Sequence, residues 1–99
     1  MILVRDVFQL KFGKAREAVA VAKEGLAVSK RAGMDAPMRL LTDLVGPYYT
    51  LVLETTFPSL ADYEQPLRDA LAKDEWKAWY QKLVPLVESG RREIFTIVE

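Results

Sequence analysis

The sequence predicts an α+β sandwich in which one four-stranded antiparallel sheet carries helices on one face. Three observations predict it: strand-type alternation in four separate runs, helix-type spacing in the stretches between them, and the order of those runs, β-α-β-β-α-β.

The first strand is ILVRDVFQLKF, residues 2–12. Val4, Asp6, Phe8, Leu10 and Phe12 share one face, and Leu3, Arg5, Val7, Gln9 and Lys11 share the other. Gly13 ends it. The stretch from Lys14 then places Ala15, Ala18, Val19, Ala22 and Leu26 on one side of a helix, with Lys30 and Arg31 in its last turn and Gly33 just beyond. Gly46-Pro47 divides the next run into strands over 38–45 and 48–57, an antiparallel hairpin. Past Pro58, Ser59 is placed to cap a helix carrying Leu60, Tyr63, Leu67 and Leu71, with Pro66 expected to kink or split it. Asp74 is placed to cap a further helix in which Trp76, Trp79, Tyr80, Leu83 and Val87 recur on one side, disturbed at Pro85. A closing strand follows Gly90. This order matches a ferredoxin-like βαββαβ sandwich with spatial strand order 4-1-3-2. Both alternating sets of the first strand are apolar, so the helix-free face also needs cover, and a second copy of the chain supplies it most simply.

With 99 residues and 51% hydrophobic composition, a single domain over 1–99 is expected. Basic and acidic residues number 14 each, which leaves no basic footprint for nucleic acid or an anionic membrane surface. No apolar run approaches the ~20 residues of a transmembrane helix, and no leader pattern opens the chain, so a cytoplasmic location is expected. There is no Cys, which removes thiol nucleophiles and thiolate metal sites, and no His, which removes the usual base near neutral pH and the commonest metal ligand. The Asp residues outside the first strand are spread over different elements and form no oxygen cage, so neither metal nor cofactor is expected.

Two charges stand out in the first strand. Arg5 faces the helix-free side, where Glu54 of the third strand alternates into the same face, and the pair reads as a structural element of a subunit interface. Asp6 faces the helices. A carboxylate among apolar residues is costly unless hydrogen-bonded, so it is either the base or ligand anchor of a cleft, or a structural group bonded to Tyr80, a Lys or backbone donors. Trp76 belongs to an aromatic stripe that reads first as core, while the Tyr80 hydroxyl needs a partner if buried and is the candidate donor opposite Asp6. Tyr48 and Tyr49 are expected at a cleft mouth or a dimer rim.

LKFGK at 10–14, VGPYYTLVLETTFPSLADYE at 45–64 and KDEWKAWYQKLVPLVES at 73–89 together resemble the NIPSNAP-like branch of the dimeric α/β-barrel superfamily. The resemblance implies a homodimer and a per-subunit small-molecule cleft between sheet and helices. It implies a wide choice of activity, from cofactor-free oxygenases to isomerases and proteins with no assigned reaction. Transferred by position, the cleft would hold Asp6 and Tyr80 as catalytic candidates and Phe8, Leu53, Thr55, Phe57 and Trp76 as ligand-binding ones. Phe8 and Phe57 keep the aromatic character the resemblance implies, whereas Leu53 and Thr55 depart from it. The haem-degrading relatives bind iron through a His where this chain has Tyr80. The resulting expectation is a homodimer that binds a small, largely apolar or aromatic molecule. The alternatives are a cofactor-independent monooxygenase or isomerase using Asp6 and Tyr80, and a non-catalytic dimerisation module whose cleft is filled by its own side chains.

Overall fold

The computed structural model describes residues 1–99 and has the expected order. Strand β1 spans Ile2–Leu10, helix α1 Ala15–Arg31, β2 Met38–Thr42, β3 Thr50–Phe57, α2 Leu60–Leu71, α3 Asp74–Leu83 and β4 Val87–Thr96, with one 3-10 turn at Val84–Leu86. The sheet is antiparallel in the order β2-β3-β1-β4, as the sequence predicts.

Four local boundaries differ from expectation, each for an identifiable reason. The β2–β3 connection is a loop rather than a tight turn, because Asp43 ends β2 by accepting from the Thr50 amide (2.9 Å) and Tyr49 takes a left-handed φ of 58° that no strand tolerates. Helix α2 runs unbroken through Pro66. The amide Pro66 lacks would have bonded the carbonyl of Asp62, an exposed residue, and the break falls later, at Ala72–Lys73. Ser59 caps α2 as expected, its Oγ accepting from the Asp62 amide, but the α3 cap position is Lys73, and Asp74 sits inside the first turn without capping it. The closing strand starts at Val87, before Gly90, because an irregularity opposite Gln9/Leu10 lets β4 stay paired with β1 from Val87 onward.

All helices lie on one face of the sheet. Two buried clusters anchor them: Val4, Phe57, Met34, Tyr63 and Ala70 toward one end, and Leu10, Leu51, Ala18, Ala22 and Leu86 toward the other. Helix α3 docks on α1 through Trp79. Its indole Nε1 donates to the Val21 carbonyl (2.7 Å), and the ring covers Gly25 so closely that a Cβ there would stand 2.2 Å from the indole carbons. Only glycine fits at this seam. The helices make their main contacts with β2, β3 and one another, and the residues of β4 are mostly exposed. No helix is long and apolar enough to cross a membrane.

Candidate functional site

A cavity of about 690 Å³ lies between the two core clusters and is lined by members of both. Its floor is the sheet: Val4, Asp6 and Phe8 of β1, and Leu51, Leu53, Thr55 and Phe57 of β3. Strand alternation sends all of these to the helix side. The roof comes from α1, α2 and α3, including Tyr63, Trp76, Trp79 and Tyr80, and Val87 to Arg92 contribute the wall along β4. Asp6, Phe8, Leu53, Thr55, Phe57, Trp76 and Tyr80, drawn from three elements, therefore line one space. Trp76 and Tyr80 stack nearly parallel, with ring centres 5.1 Å apart, and Tyr80 is 42% exposed.

Asp6 does not pair with Tyr80. Its Oδ1 accepts from Arg92 Nε at 2.5 Å, across a register that sets Asp6 directly opposite Arg92 on β4. Burial alone would lower the Arg92 pKa, but the hydrogen bond and charge of Asp6 outweigh it and hold the guanidinium above its ordinary value. Its ring-facing side lies 5.7 Å from the centre of the Tyr63 ring. Tyr63 is 6% exposed, and its hydroxyl is buried with no hydrogen-bond partner. Burial raises that hydroxyl's pKa, with nearby Arg92 opposing the effect and Asp6 adding to it. Tyr63 is thus a protonated donor at neutral pH.

On the opposite face, Arg5 pairs with Glu54 as expected, Nε to Oε2 at 2.9 Å, and the arrangement extends further. Arg39 of β2 reaches the other Glu54 oxygen, Arg5 Nη1 donates to Glu93 of β4 at 2.8 Å, and Arg91 meets the second Glu93 oxygen at 3.3 Å. Every carboxylate oxygen in this row meets a guanidinium. Arg39, then, after the opposing effect of burial, Arg5, hold the Glu54 carboxyl below its ordinary range. Glu54 is shielded by these two side chains lying over it rather than by a layer of protein, since Arg39 itself is mostly exposed.

A second concavity, about 790 Å³ and wide open, lies between the start of α1 and the β2–β3 loop, bordered by Phe12, Arg16, Lys23, Asp43, Tyr48 and Tyr49. Tyr48 and Tyr49 therefore border this groove, and neither Asp6 nor Tyr80 reaches it.

Sequence reasoning missed Arg92, Arg39 and Glu93. The signal for Arg92 was present: Arg91-Arg92-Glu93 alternates across a strand as Arg5-Asp6 does, and antiparallel pairing matches Arg5 with Glu93 and Asp6 with Arg92.

The NIPSNAP family model matches residues 5–99, nearly the whole chain. The chain belongs to the NIPSNAP family. Among solved structures, an uncharacterized NIPSNAP domain protein from Burkholderia xenovorans shares 17% identity and superposes with a TM-score of 0.89 over 99% of this chain and 95% of that one. A NIPSNAP family protein of unknown function from Agrobacterium tumefaciens shares 22% identity, with a TM-score of 0.87 over 96% and 86%. SnoaB, a cofactor-independent oxygenase from Streptomyces nogalater, shares 18% identity with a TM-score of 0.72 over 99% and 93%. At these identities the NIPSNAP chain shares a fold with each of them. Among curated proteins, none matches the sequence significantly.

Proposed function

We propose that this NIPSNAP protein is a homodimer, joined sheet to sheet, that binds a small, largely apolar or aromatic molecule in the cleft between sheet and helices. The cavity carries the reading. Its volume of about 690 Å³ falls within the roughly 300–1,000 Å³ range of small-molecule sites, and most of its lining is apolar, with few charged groups. That open volume also argues against a module whose cleft is filled by its own side chains. The dimer is supported by the bare sheet face, where apolar residues flank the ionic row: Leu3 and Phe95 at one end, Val7, Val52 and Leu41 at the other. Phe95 is about half exposed in the single chain, and a second copy would cover it.

Catalysis in the same cleft is a second reading, favoured by Asp6 and Tyr80 lining one cavity. There Asp6 would take an acidic proton from the substrate and Tyr80 would orient the resulting anion, whose electron-rich carbon is then either reprotonated elsewhere, as in an isomerase, or oxidised by dioxygen, as in a cofactor-independent monooxygenase. The likeness to SnoaB makes this chemistry worth testing. Asp6 would first have to exchange its Arg92 partner for the substrate.

Native mass spectrometry of the purified protein tests the main reading, with a dimer carrying retained small molecules as the expected result. A monomer at micromolar concentration would remove the dimer, and failure of every apolar or aromatic compound in a binding screen would remove the ligand. For the catalytic reading, Asp6→Asn should abolish turnover while leaving the fold intact; unchanged turnover would sink the role of Asp6.

A further inference from the structure

Asp6, Arg91 and Arg92 are the charged residues of the cavity lining, and since Arg91 turns its guanidinium to Glu93 on the opposite face, the cavity itself holds the Asp6–Arg92 pair in a largely apolar space. Asp6 Oδ1 is bonded to Arg92 Nε. That bond orients the guanidinium while its two terminal nitrogens make no hydrogen bond. The Tyr63 ring packs against the guanidinium with its own hydroxyl buried away from the cavity space. Arg92 stands on β4, along one wall of the cavity. Along the same wall Gly90 stands opposite Phe8, where a Cβ would crowd the ring at 3.1 Å, and the stacked Trp76–Tyr80 pair forms a flat wall.

We propose that the cleft takes an aromatic monocarboxylate, its carboxylate held by the terminal nitrogens of Arg92 and its ring against Phe8, Trp76 and Tyr80. This rests on the cleft being a ligand site and specifies which class of ligand it takes. A guanidinium presents parallel N–H groups that match the two oxygens of a carboxylate, so one held in place by Asp6 is a pre-oriented receptor for it. A cationic ligand finds only a carboxylate already paired with Arg92. A neutral aromatic fills the same walls but leaves the donors unsatisfied.

Calorimetric titration with 2-naphthoate and with neutral 2-naphthalenemethanol tests this on the full chain. The carboxylate should bind at least about tenfold more tightly than the alcohol, the range of a charged hydrogen-bonded contact. Arg92→Gln should abolish that preference while leaving the affinity for the alcohol unchanged. Should Arg92→Gln misfold because Asp6 is left unpaired, the double variant Asp6→Asn/Arg92→Gln keeps a neutral hydrogen-bonding pair at the same register and should lose the preference equally. Equal binding of the two probes by the parent protein would overturn the carboxylate inference and leave the cleft as an apolar ligand site. Preference retained without Arg92 would overturn it as well. Binding of neither probe would overturn this inference, and the ligand-site reading falls with it only if the wider screen of apolar and aromatic compounds also finds nothing.

Discussion

The two faces of the sheet carry the same chemistry in opposite states of completion. On the bare face, Arg39, Glu54, Arg5, Glu93 and Arg91 form a row in which all four carboxylate oxygens are engaged. On the helix face, Arg92 uses one nitrogen for Asp6 and leaves the rest free beside an unpartnered tyrosine hydroxyl. Neighbouring residues of the same strands build both arrangements, since Arg5 and Asp6 face Glu93 and Arg92 across one ladder. A row whose carboxylates are all engaged, on a face without a cavity, fits a role in fixing structure and register. On the helix face the guanidinium with free nitrogens stands beside a cavity.

The strongest way to break this contrast is to open the saturated row. Glu54→Ala leaves Arg5 and Arg39 without their shared carboxylate, and if a second copy dries the site the loss should reach about 3–5 kcal/mol. Size-exclusion chromatography with light scattering should then show a monomer at concentrations where the parent protein forms the proposed dimer. Next in size, Gly25→Val drives a branched side chain into the Trp79 ring and should cost about 2–3 kcal/mol in denaturant unfolding. It should weaken binding in the cleft and leave the dimer interface untouched, because only the helix face depends on that seam.

A pH series separates the faces further. Near neutrality Glu54 is ionised in both folded and unfolded chains, and its stabilising contribution is complete. Because its folded pKa is depressed below 4.5, the unfolded chain takes up the proton first as pH falls below that value. Stability should therefore decline from about pH 4.5 downward until the folded pKa has been passed, and the profile of Glu54→Gln should be flatter. The smallest effect belongs to the Lys82–Glu24 pair between α3 and α1, which has the same 2.9 Å separation as Arg5–Glu54 but is about half exposed on both sides. Lys82→Ala should change stability by no more than about 0.5 kcal/mol. A large loss there would show that distance rather than surroundings sets the strength of these pairs.

Element order, strand order and the Arg5–Glu54 pairing were legible because each follows from alternation and from the handful of topologies open to βαββαβ. Asp6 was assigned its face for the same reason, but its partner was missed: the charge pattern Arg5-Asp6 against Arg92-Glu93 hinted at it, and the register of β4 against β1 is what fixes it. Pro66 shows a different limit. A proline is a strong stop signal, yet α2 runs through Pro66 in its middle, held to the core on either side by the buried Tyr63 and Ala70. The cavity volume was beyond sequence altogether, because it depends on how far two core clusters stand apart.

The bond from the Trp79 indole to the Val21 carbonyl ties α3 to α1 by a single side-chain proton. That proton is a local clock. Its exchange with solvent reports separation of the two helices, whereas the amides of β1 and β3 report loss of the sheet. An indole that exchanges much faster than those amides would mean that the roof of the cleft breathes while the floor stays whole, so a buried molecule could leave without the protein unfolding.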